Sequence, residues 1–139
     1  MNALKLANKP GEYAMTLITV LVIVAVVELL AGIGLIVATP LVLDLLFGSA
    51  PNALATVVAK VAGVALIAIG AISWSARSVA SGPPARAILN GLIIYNLGVV
   101  VALLYGFLYH GLSGALLWPV VVLHTLLGLV CVWQSSQQK

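Results

Sequence analysis

Charge is the first thing this chain has little of: six basic and three acidic side chains are spread over 139 residues. No run of Lys or Arg is dense enough to follow a nucleic-acid backbone, which sets nucleic acid aside as a partner. Cysteine is reduced to Cys131, so one chain can build no internal disulfide, Cys-x-x-Cys redox pair or thiolate zinc cage. Polar sequence is short as well. What remains outside the apolar runs is an N-terminus, three connections and a few C-terminal residues, too little for a water-exposed domain.

What is present is apolar. Hydrophobic residues make up 63% of the chain and mean hydropathy is +1.25, far from ordinary soluble composition. A membrane-spanning helix needs roughly 20 apolar residues, and four stretches qualify: 13–39, 53–76, 85–109 and 115–133. The expectation is an all-α integral membrane protein, a single membrane domain over residues 1–139, built as a four-helix bundle. The first run is too long for a signal peptide and lacks an evident cleavage box.

The breaks between runs differ in character. The first, Pro40 to Asn52, is itself partly apolar around Asp44, and Thr39-Pro40 reads as the cap and first position of a short interfacial helix. There Asp44 reads as a headgroup-facing charge, or else as a gate charge at an outer vestibule. Ser81, Gly82, Pro83 and Pro84 read as a turn flanked by Arg77 and Arg86. The third break, Gly111 to Gly114, carries no charge. Tyr13, Trp74, Tyr109, Trp118 and Trp133 fall near span ends, as an aromatic belt requires. Lys5, Lys9, Arg77, Arg86 and Lys139 fall on one side of a four-span arrangement, which predicts both termini in the cytoplasm, and in the inner membrane if the source is bacterial.

Three ionisable groups interrupt the spans. Glu28 lies in the middle of the first, at a depth where a charge needs a partner or a task. Counting about 1.5 Å per residue from the outer ends puts Lys60 and His124 in the same slab, with Tyr95 and Asn96 slightly nearer the cytoplasm. This set is the candidate polar layer. Glu28 and Lys60 can form a structural ion pair that fixes helix register. Otherwise Glu28 titrates as a proton or ligand site, or Lys60 snorkels outward. His124 reads as a satisfied core histidine, bonded to Glu28, Tyr95 or a backbone carbonyl.

Cofactor chemistry finds little support in these residues. A haem would need a second axial ligand at the depth of His124, and His110 sits more than a turn away. One His and one Glu are too few for a metal site. No Ser, His and carboxylate set carries an oxyanion hole, so no catalytic residue is assigned and no cofactor is expected. For packing, Gly98, Ala102 and Gly106 stand at strict fourth-residue spacing, the small-residue ridge that lets membrane helices approach closely.

Gly32-Ile33-Gly34 leading into Pro40, Leu45-Leu46-Phe47-Gly48, and Val61-Ala62-Gly63-Val64-Ala65 through Gly70 to Trp74-Ser75-Ala76-Arg77 together resemble the small four-helix membrane proteins of the DoxX-like group. The resemblance covers the first half of the chain. It implies a compact bundle with both ends inside, in a group described as redox-associated or of unknown function, and it carries over no site residue. By lone analogy of Glu28, the chain is also similar to small multidrug exporters, which have four short spans and an acid in the first. The leading functional expectation is an accessory or scaffold subunit or a homo-oligomer, with the bilayer, a second copy or other membrane proteins as partners. Two alternatives stay open: a small proton-coupled transporter or channel using Glu28, and a lipid- or quinone-binding redox-associated subunit.

Overall fold

A computed structural model of the chain describes residues 10–79 and 82–137. Lys5, Lys9, Ser81 and Lys139 lie outside the described residues, as does the side chain of Tyr13. The described elements are five helices, α1 (Pro10–Val37), α2 (Thr39–Phe47), α3 (Ala53–Ser75), α4 (Gly82–His110) and α5 (Leu117–Gln137), with a 3-10 turn at Ala76–Val79 after α3. Four of them, all but α2, are long and apolar enough to cross a membrane. The chain therefore fits a multi-pass integral membrane protein of the four-helix bundle type.

The helix ends follow from local chemistry. Asn52 caps α3 by accepting from the Ala55 amide at 2.8 Å. Pro83 and Pro84, expected within a turn, instead occupy the first turn of α4, where a missing N–H leaves no hydrogen bond unmade. Thr39 does not cap α2. The N-cap is Ala38, and the Thr39 hydroxyl donates back to the Leu35 carbonyl of α1. Gly48 ends α2 in the left-handed conformation at φ 70°, its amide returning to Asp44 O at 2.7 Å. α5 runs on past Trp133 to Gln137, four residues beyond the run read from hydropathy.

The uncharged third break has a specific task. Its backbone amides, with that of Leu116 just after it, satisfy the last carbonyls of α2, which would otherwise have no partner: Ser113 N donates to Phe47 O at 3.0 Å, Gly114 N to Leu46 O at 3.2 Å and Leu116 N to Leu45 O at 2.7 Å. The approach is so close that a Cβ at Gly114 would collide with the Leu45 carbonyl. A charged loop would not pack there.

Two pairs of helices form the bundle. α1 lies along α3, and α4 along α5; the pairs meet chiefly where α1 touches α5, at the 3-10 turn and through α2, while α3 and α4 barely touch. Gly32 and Gly63 set the closeness of α1 to α3. A Cβ on Gly32 would sit 2.6 Å from Gly63 O, and one on Gly63 would sit 2.8 Å from Gly32 O. This contact of small residues lets two backbones meet. The buried core has two parts. One, near the Arg77 end, joins Leu17, Leu21 and Val24 to Leu89, Leu92, Leu127 and Cys131. The other, near α2, is built on Leu103, Leu117 and Val121.

Candidate functional site: a closed polar set between the helix pairs

Glu28 projects from the middle of α1 and is 1% exposed. Its partner comes from the other helix pair: Tyr95 of α4 donates its phenolic hydrogen to Oε2 at 2.7 Å. The backbones of α1 and α4 stay apart, so it takes a side chain as long as tyrosine to reach across. Oε1 of Glu28 is buried with no hydrogen-bond partner.

Asn96 follows Tyr95 by one residue and points inward to α5. It is fully buried, its Nδ2 donates to Leu92 O at 2.8 Å, and its Oδ1 lies 2.9 Å from His124 Nδ1. An amide oxygen can only accept, so His124 carries its hydrogen on Nδ1 here. Gly128, one turn beyond His124, makes room for this contact: a Cβ there would stand 3.1 Å from Leu97 and 3.5 Å from the Asn96 side chain. The Tyr95 and His124 rings then meet edge to face, centroids 5.7 Å apart at 78°. Glu28, Tyr95, Asn96 and His124 thus form one contiguous set drawn from three helices.

Lys60 is not among them. Its ammonium donates to Ile36 O at 2.6 Å and the residue faces outward on α3. The physical reason is the register of α1 on α3. With Gly32 against Gly63 and Ala25 against Gly70, the level opposite Glu28 falls near Ile67, about 10 Å along the axis from Lys60. Depth counted from span ends missed this offset. Lys60 instead serves the end of α1, where the carbonyls of the last turn lack intrahelical donors and the helix dipole favours a cation. Gly34 O accepts from the Ala38 amide, Leu35 O from the Thr39 hydroxyl, and Ile36 O from Lys60.

The chain matches no family model, no curated protein and no solved structure.

The ridge of α4 is divided. A Cβ on Gly98 would meet nothing within 4 Å, Ala102 faces out of the bundle, and Gly106 is buried against Leu112 of its own chain. Beside Gly98 and Ala102 the separation of α3 from α4 leaves an apolar cavity of about 650 Å³, lined by Ala55, Ala59 and Ala62 of α3, Val99 and Ala102 of α4 and Phe47 of α2 among others. None of the four residues of the polar set lines it. Among the described residues no three His, Cys, Asp or Glu side chains gather as a metal site.

Two buried polar residues were not read from the sequence. Gln134 is fully buried with neither side-chain oxygen nor nitrogen partnered, and the Ser73 hydroxyl is likewise buried without a partner. The signal for Gln134 was its place on the inward stripe of α5 with His124, Gly128 and Cys131. It was missed because the apolar run seemed to close at Trp133. Ser73 carried no comparable signal, since a serine inside a span commonly bonds its own backbone.

Proposed function

We propose that this chain is a multi-pass membrane protein that works by interaction, as an accessory or scaffold subunit or a homo-oligomer, with both termini cytoplasmic and α2 at the opposite interface. The observation that carries this reading is the unfilled groove between α3 and α4. Its α3 side carries alanines at helical spacing, Ala55, Ala59 and Ala62, opposite Val99, Ala102 and Leu103 of α4, while leucines and Phe47 close the end toward α2; Gly98 stands one turn before Ala102 on α4 and meets nothing in its own chain. In a bilayer, helix association rests on close packing rather than on a hydrophobic drive, and small residues permit that approach. The polar set supports the same reading, because it is buried and its bonds are made between helices, Tyr95 to Glu28 across the two pairs and Asn96 to His124 within the α4–α5 pair.

The test is the size of the purified protein in mild detergent by light scattering. Gly98→Leu meets nothing in its own chain, so the variant should keep the helical content of wild type, while Ala62→Phe fills the groove. Both should reduce an oligomer to monomer. A wild-type oligomer of unchanged size in both variants refutes the reading. Gly106→Leu is a poor probe, since it would press on Leu112 within the chain.

One observation favours a second reading. Glu28 Oε1, buried and unpartnered, is the acceptor a transferable proton needs, which fits a proton-coupled transporter. Glu28→Gln keeps the shape and the bond from Tyr95. If it abolishes proton flux into proteoliposomes without loss of stability, the transport reading prevails; wild-type vesicles that move no protons exclude it.

A further inference from the structure

The polar and aromatic groups on the outside of the helices stand closer together along the axis than an ordinary bilayer is thick. On α3 the outward residues Val61, Val64 and Ile72 lie between exposed Lys60 and exposed Trp74. Neither limit is free to slide. The Lys60 ammonium is tied to Ile36 O, in the last turn of α1. At the other end the Arg77 guanidinium folds back over the Trp74 ring, 3.4 Å from its centroid, with Nε bonded to Trp74 O at 2.6 Å. Long basic stems ordinarily snorkel to bring their charge to the interface, but both of these are held by backbone carbonyls. At 1.5 Å per residue, Lys60 stands about 21 Å from Trp74 and about 25 Å from Arg77.

The other helix pair repeats the interval. On α5 exposed Trp118 and Trp133 bracket the outward Val122, Leu126 and Leu129, about 22 Å apart. On α4 exposed Asn90 and Tyr105 bracket Ile94, Leu97 and Val101, again about 22 Å apart. These two brackets lie at one level. Asn90 accepts from Ser135, two residues past Trp133, and Trp118 packs edge to face on Phe107, two residues past Tyr105, with centroids 5.2 Å apart. The α3 bracket matches them, since Glu28 stands opposite Ile67, midway between Lys60 and Trp74, and its partner Tyr95 and His124 stand near the middle of theirs. Helix tilt only shortens these heights along the bilayer normal. A typical hydrocarbon core is about 30 Å thick, so the apolar belt falls short by roughly 5–9 Å.

From this agreement we infer that the lipid-facing surface fits a thin bilayer, and that in a bilayer of ordinary thickness the protein gathers phospholipids of short acyl chain around itself. A belt shorter than the hydrocarbon around it thins the bilayer locally, and short chains do so at least cost. Leu54, Val57 and Val58, exposed on α3 beyond Lys60, do not lengthen the belt. An ammonium has three N–H donors and the bond to Ile36 O takes one, so hydrocarbon reaching those residues would bury a charge with two donors unspent. The inference rests on the multi-pass reading and not on whether the chain oligomerises.

The three exposed tryptophans report on the lipid beside them. The protein is reconstituted in mixtures of brominated dioleoyl phosphatidylcholine with unlabelled phosphatidylcholine carrying myristoleoyl, palmitoleoyl, oleoyl or erucoyl chains. The headgroup is then constant, and relief of quenching gives the affinity for each chain length. Myristoleoyl lipid should bind best, at least about two-fold more tightly than oleoyl, with erucoyl weaker still. Lys60→Met should move the optimum to a longer chain, because Leu54, Val57 and Val58 then join the belt, whereas Val64→Met, in mid-belt, should leave it in place. An optimum at oleoyl or erucoyl in the wild-type protein, or no dependence on chain length, overturns the inference whether or not the variants fold. So does an optimum that Lys60→Met leaves unmoved or that Val64→Met moves as far. Tryptophans that no brominated lipid quenches would refute the multi-pass reading itself, and the inference with it.

Discussion

Removing the Tyr95 hydroxyl tests whether the polar set holds the two helix pairs together. In Tyr95→Phe the ring stays and its edge contact with His124 remains, but Glu28 loses the single donor it has, so both carboxyl oxygens become unpartnered at a site 1% exposed. Stranding a buried polar group costs about 1–3 kcal/mol. Glu28→Leu strands the Tyr95 hydroxyl instead and should cost a similar amount, less what the added apolar contact returns. The double variant removes both partners, so its cost should fall short of the sum, the usual outcome when an apolar pair replaces a hydrogen-bonded one. Interhelical hydrogen bonds in membrane proteins couple by about 0.6 kcal/mol on average and up to about 1.7. This one belongs at the upper end, because the bond lies at a site 1% exposed and Tyr95 is the donor that reaches Glu28 from the other pair. The measurement is reversible unfolding in mixed detergent micelles for wild type, both single variants and the double. Strictly additive single costs would refute the claim that this bond joins the pairs.

Two further outcomes follow from the register of α1 on α3. Lys60→Met removes the donor from Ile36 O and should cost about 0.5–1.5 kcal/mol; combined with Tyr95→Phe in the same assay it should add without coupling, because the two sites lie about 10 Å apart along the helices, and measurable coupling would restore the Glu28–Lys60 pair. Gly32→Val places a branched side chain where even a Cβ would stand 2.6 Å from Gly63 O; it should cost about 1–3 kcal/mol, whereas Gly98→Val, with nothing near it in its own chain, should cost the monomer close to nothing in the same micellar unfolding assay run at a protein concentration where wild type is monomeric.

Much of this molecule was legible from hydropathy, and the parts that were not share a cause. The four long apolar helices and the position of α2 could be read because length and breakers are one-dimensional signals: Pro40, Gly48, Pro51 and the Gly82-Pro83-Pro84 run interrupt the apolar sequence where the helices change. Facing is different. In a soluble bundle the polar side of a helix marks the outside. Here Ile94, Val101 and Leu108 face outward while Leu89, Leu92 and Leu103 of the same helix are buried, and composition does not separate them. The spacing of Gly98, Ala102 and Gly106 was visible, but not that Gly98 would face outward while Gly32 and Gly63 made the tight contact.

The sequence by itself determined the class of the protein, the number of long apolar helices and the rarity of Glu28, because these depend on counting residues along one line. Only the tertiary structure decided the company Glu28 keeps. Two glycines set α1 against α3 at a register that carries Lys60 away to the end of α1, and a tyrosine from the opposite pair reaches Glu28 in its place. Register is a property of two surfaces in contact, and no single helix carries it.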